Sequence, residues 1–111
     1  MNIKDSKKLK MILYRNLKEM GKAAKLNDIK KFNQLNVTYV SFFKNLFGRK
    51  TPKGTEGWEW DLARNYLAYI LQYESFYSQK RIDKKEYENK TKQYWFKYLK
   101  ILEGIKKEYL K

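Results

Sequence analysis

The chain has no cysteine and no histidine. No disulfide can form, so nothing marks it as an extracellular disulfide scaffold. Thiolate nucleophiles, imidazole bases and the usual zinc and haem ligands are missing too. Apolar runs are short, as at Met11–Tyr14, and none approaches the roughly 20 residues that cross a bilayer. The first residues, MNIKDSKKLK, lack the apolar middle of a secretory signal, so an intracellular location is expected. Proline occurs once, and three of the five glycines share its segment, Gly48–Gly57. Arginine is scarce, at 4 against 22 lysines. With abundant Asn, Ile and Tyr, that bias fits an AT-rich genome, such as that of a virus, a plasmid, or a low-GC or thermophilic microbe.

Acidic residues are also few: 12 against 26 Lys plus Arg, a net charge of +14 in 111 residues. The deficit is uneven. Residues 1–54 hold 14 basic and 3 acidic side chains, while residues 55–111 hold 12 and 9. Residues 29–55 contain no acid at all. A chain this basic is suited to a polyanion, and nucleic acid is the usual one. High charge alone would suggest disorder. Here 42% hydrophobic and 17% aromatic content supplies enough apolar surface to offset the entropy of ordering. The length fits a single domain, residues 1–111.

Periodicity predicts an all-α, compact four-helix bundle with helices at about 3–25, 28–47, 56–79 and 83–110. In the first, Leu9, Leu13, Leu17, Met20 and Ala24 share one face. Lys4, Lys7, Lys8, Arg15, Lys18, Lys22 and Lys25 fall on the other, with Met11 the only apolar residue among them and Asp5 and Glu19 the only acids on the helix. In the second, Asn27 is the expected N-cap. Ile29, Phe32, Leu35, Tyr39, Phe42, Phe43 and Leu46 form a wide apolar stripe. Val37–Phe43 has the composition of a strand, but polar residues every three to four positions favour helix. Gly48 is the expected C-terminal stop.

The third helix should bury Trp60, Ala63, Leu67, Ile70 and Leu71, with Tyr66 and Tyr77 on the flanks. Glu74 falls near the centre of that stripe. It either meets a Lys or Tyr, or marks where the helix leaves the core. The fourth helix opens on Asp83 and Glu86, an Asp-x-x-Glu capping box, with Ile82 and Tyr87 at the positions of a hydrophobic staple. Tyr87, Thr91, Tyr94, Tyr98, Ile101, Leu102, Ile105 and Tyr109 should face inward. The short turn before it predicts antiparallel packing of helices three and four.

Three constellations carry the functional reading. The cationic back of the first helix suits phosphate tracking, because lysines beside phosphates release condensed counterions. Its plain alternative is a solvated helix face, though such faces usually mix signs. The loop residues Arg49, Lys50 and Lys53 suit a backbone phosphate equally as well as a simple connector; the order of a P-loop is missing. Trp58, Tyr69, Phe76 and Phe96 fall outside the main stripes. They are candidates for base stacking, or for a packing, partner or homo-oligomer surface.

Glu56, Glu59 and Asp61 sit at a helix start, where the dipole favours acids, so a metal site is not expected. No cofactor is expected, and with no converging acid–base pair neither is catalysis. The expected function is therefore non-enzymatic binding of DNA or RNA through Lys4, Lys8, Arg15, Lys18, Lys22, Lys25, Arg49, Lys50 and Lys53. No recognition-helix signature indicates sequence-specific readout. The alternative is a helical interaction module or inhibitor that docks on an acidic protein surface. A membrane-surface role for the first helix ranks third, because a bundle needs its apolar face.

Overall fold

An apolar residue every three to four positions makes a helix whose inner stripe must find a partner, and four such stripes share one core. The computed structural model describes residues 3–109, with side chains from residue 6 to residue 108. The side chains of Lys4 and Tyr109, and the expected last helical position at residue 110, lie outside the described residues. The helices are α1 (Ile3–Lys25), α2 (Ile29–Phe47), α3 (Glu56–Ser78) and α4 (Lys84–Tyr109). No strand occurs among the described residues, and Val37–Phe43 lies wholly within α2.

Leu13, Leu17, Met20 and Ala24 are buried, so the inner stripe of α1 lies where its spacing puts it. The helix ends at Asn27, which adopts a left-handed φ of 54°. Its N–H donates to the Ala24 carbonyl (3.1 Å), and the Asp28 N–H donates to Ala23 (2.8 Å). These are the two bonds of a Schellman motif. The Asp28 carboxylate then accepts from the Lys31 N–H at 3.1 Å and caps α2. The N-cap is thus Asp28, not Asn27. With so short a connection, Asn27 is consumed in ending α1, a position its side chain tolerates, and the cap falls to the next residue.

Phe32, Tyr39 and Phe43 of α2 are buried, but Ile29 is 50% exposed. The apolar spacing of α2 places Ile29 in its stripe. As the first residue of α2, it sits on the corner where the chain reverses, beyond the reach of the facing helix. Two long-range hydrogen bonds hold α2: Asn16 Nδ2 donates to the Leu35 carbonyl (3.1 Å), and Tyr39 Oη donates to the Trp60 carbonyl (2.7 Å). Gly48 stops α2 at a φ of 80°. Gly57, at the start of α3, lies so close to Phe47 that a Cβ there would sit 2.8 Å from the Phe47 Cβ.

In α3, Trp60, Ala63, Leu67, Ile70 and Leu71 are buried as expected. The connection to α4 repeats the device that ended α1. Lys80 has a φ of 60°, its N–H donates to Tyr77 (3.0 Å), and the Arg81 N–H donates to Phe76 (2.9 Å). The Asp83 carboxylate then accepts from the Glu86 N–H at 2.8 Å, one half of the capping box. Asp83 is the cap itself, so α4 begins at Lys84.

The architecture is two antiparallel hairpins, α1–α2 and α3–α4, joined through α1 against α3. Among the described residues, α2 and α4 have no Cα atoms within 8 Å of each other. The molecule is elongated, 49 × 25 × 24 Å. No residue from 72 to 97 is fully buried, so the tip of the α3–α4 hairpin extends past the core. Rings hold the tip: Tyr77 stacks on Tyr87 at 4.4 Å between centroids, and the Tyr87 hydroxyl donates to Glu74.

A left-handed lysine costs about 1–2 kcal/mol that glycine does not incur, while glycine costs some unfolded-state entropy. Lys80→Gly should therefore stabilise the protein by about 0.5–1 kcal/mol in urea unfolding. Asn27→Gly should gain less, because Asn already tolerates that conformation.

Candidate nucleic-acid interface

Burial of one stripe of α1 dictates what the other presents. Lys7, Lys8, Arg15, Lys18, Lys22 and Lys25 are all exposed. Glu19 pairs with Lys22 at 3.2 Å, and Lys18 lies 5.8 Å from the Tyr14 ring centroid. Lys7, Lys8, Arg15 and Lys25 form no ion pair among the described residues. Lys10 points elsewhere, bridging to Glu56 at 2.7 Å and tying the start of α3 to the first half of α1.

Arg49, Lys50 and Lys53 are exposed on the loop between α2 and α3. Arg49 borders an open cleft of about 610 Å³ that also meets Lys44 and Arg64. Arg64 is committed there: its Nη2 lies 2.7 Å from Asp61 Oδ1. Among the described residues, no three potential ligands form a metal-binding group. Glu56 and Asp61 instead neutralise Lys10 and Arg64.

The four candidate rings separate. Trp58 belongs with the loop, its ring 6.0 Å from Lys53 Nζ. Phe96 stands alone on the outer face of α4, 66% exposed. Tyr69 and Phe76 join one seam along α3 and α4. Tyr69 meets Tyr94 at 5.4 Å, Tyr94 meets Tyr73 at 5.8 Å, and Tyr73 meets Phe76 at 5.7 Å. The Arg81 guanidinium lies 4.7 Å from the Phe76 ring and ends the row. The sequence period marks Tyr94 only as an inward residue and does not set Tyr73 apart. Their signal is visible in hindsight: Tyr66, Tyr69, Tyr73 and Phe76 recur every three to four positions on α3.

A further feature escaped the sequence. Between α1 and α4 runs a groove of about 400 Å³, bordered by Lys18, Lys22 and Lys25 on one side and Trp95, Leu99 and Leu102 on the other. The available signal was Gly21, a glycine inside an otherwise strong helix. Such a residue marks a close approach of another element. Here that element is Tyr98, whose hydroxyl occupies the space a Cβ at position 21 would need.

Comparison with protein-family models, with curated proteins and with solved structures found no match to this chain.

The tyrosines do not titrate alike. The hydrogen bond to Glu74, aided by burial, pushes Tyr87 up to about 12. Burial raises Tyr39, Tyr94 and Tyr98 as well. A tyrosine whose pKa is raised by folding stabilises the fold fully below its unfolded value, near 10, and loses that contribution as pH rises through the folded value. Stability should therefore fall between pH 10 and about 12. Tyr87→Phe should be less stable than wild type at pH 9 and should lose less on going to pH 11, in urea unfolding at the two pH values.

Proposed function

We propose that this chain is a non-enzymatic nucleic-acid-binding helical protein that holds the phosphate backbone through lysine and arginine side chains. The observation that carries this reading is the outer face of α1. Six cations stand exposed there, and the one acid with a described side chain on that helix, Glu19, occupies only Lys22. A solvated face without a partner gains nothing from like charges placed so close together. A polyanion turns the same arrangement into binding free energy by giving up its counterions. Arg49, Lys50 and Lys53 extend the contact from the loop, and Lys8, Arg15, Lys18, Lys22 and Lys25 carry it on α1. Lys4 is included on its sequence spacing alone.

No helix among the described residues is long and apolar enough to cross a membrane. An intracellular nucleoprotein role fits, as a viral or plasmid-borne protein or as a small subunit of a larger complex. The second reading is docking on an acidic protein. It is favoured by the seam, in which Tyr69 is 42% exposed.

Affinity for DNA and RNA should fall by two orders of magnitude or more between about 50 and 200 mM salt. The double variant Lys8→Gln, Arg15→Gln should lower the slope of log affinity against log salt by about 2. Affinity indifferent to salt over that range would overturn the proposal.

A further inference from the structure

We infer that the groove between α1 and α4 takes an unpaired nucleobase, while Lys18, Lys22 and Lys25 hold the phosphates on either side of it. The inference rests on the nucleic-acid reading and deepens it, because it makes the protein selective for single strands.

The groove is built from the register of two helices. Tyr98 Oη donates to the Leu17 carbonyl at 3.0 Å, directly beside Gly21. That contact brings α4 against the backbone of α1 and forms an apolar floor. Trp95 is set edge-on to Tyr98, with 5.6 Å between centroids and an angle of 73°. Its indole is therefore positioned before any ligand arrives. Leu99 beside it is 56% exposed.

Three properties select the occupant. The first is size: about 400 Å³ lies within the range of small-ligand sites and accommodates a planar base. The second is charge. Lys18, Lys22 and Lys25 stand on one wall, and among the described residues no acid borders the groove. Glu19 reaches Lys22 from outside it. Spaced four and three residues apart, the lysines span about 10 Å of α1. A lone head group, as on a fatty acid, needs only one or two such cations, whereas successive phosphates use the whole row. The third is the apolar wall. A duplex keeps its base faces stacked inside, so it would draw on the lysines and leave Trp95 and Leu99 unused. An unpaired base presents a flat apolar face to stack there.

The test uses the full-length protein and three labelled ligands of about 12 nucleotides. These are a single strand, the same sequence as a duplex, and an abasic strand with the same phosphates. Anisotropy should show the single strand binding about tenfold tighter than the abasic strand. In a Trp58→Phe background, Trp60 is buried, so quenching of indole fluorescence by the single strand reports Trp95. Trp95→Ala should reduce the preference to less than about threefold while leaving the abasic affinity nearly unchanged. Leu99→Asn, at an exposed position, should weaken the preference in the same sense, and it decides the matter if Trp95→Ala does not fold.

Equal affinity for single and abasic strands would overturn the inference, as would a preference that survives both substitutions. Quenching by sodium laurate but not by the oligonucleotide would assign the groove to an amphiphilic carboxylate instead. Salt-dependent binding without base preference would remove the groove and leave the phosphate reading standing. Failure of every ligand to bind would remove both.

Discussion

The packing of α4 on α1 centres on one hydrogen bond: the Tyr98 hydroxyl on the Leu17 carbonyl, over Gly21. The α1–α2 and α3–α4 pairs share one core, joined where α1 packs on α3 with Lys10 bridged to Glu56, and where Tyr39 of α2 bonds the Trp60 carbonyl. The placement of α4 against α1 depends on the absence of a side chain at position 21. A Cβ there would collide with the phenol, push α4 outward and deprive Tyr98 of its partner. The same contact aligns Trp95 and Leu102 with Lys18 and Lys25. A packing constraint thereby becomes a constraint on the surface.

A net charge of +14 on so small a protein opposes compaction through self-repulsion. The few acids are placed where they offset this locally. Glu56 meets Lys10 at the α1–α3 junction, and Asp61 meets Arg64 beside the open cleft. Glu74 is used differently, accepting from the neutral Tyr87 hydroxyl at the hairpin tip. The outer face of α1 receives almost none of this compensation. Lysine stems spread along a helix keep their charges in water, where screening makes the repulsion tolerable. That arrangement costs little in stability and leaves the face available to a polyanion.

Aromatic side chains do two jobs here. In the centre, Trp60, Tyr39 and Phe43 fill the core, with Tyr39 also hydrogen-bonded to the backbone of α3. Beyond the core, Tyr73, Tyr77, Tyr87 and Tyr94 join α3 to α4 where no fully buried residue exists. Tyrosine suits that position because its ring packs while its hydroxyl stays wet or finds a carboxylate. The cost is a tip whose cohesion depends on protonated phenols.

The helices, the antiparallel α3–α4 hairpin, the Asp83 cap and the cationic back of α1 were legible from the sequence alone. Each depends on residues within about a turn or two of one another, and the 3.6-residue period acts at that range. The exposure of Ile29 and the division of labour between Asn27 and Asp28 were less legible, because a tight corner leaves each residue one role. The groove and the seam were decided by tertiary structure. Lys18 and Trp95 are 77 residues apart, and nothing local to either specifies the register that brings them to one cleft. Likewise Tyr69 and Phe76 become one row only because Tyr94 of α4 and Tyr73 lie between them. The sequence determined where the charge is; the packing of α4 on α1 decided that an apolar wall stands beside it.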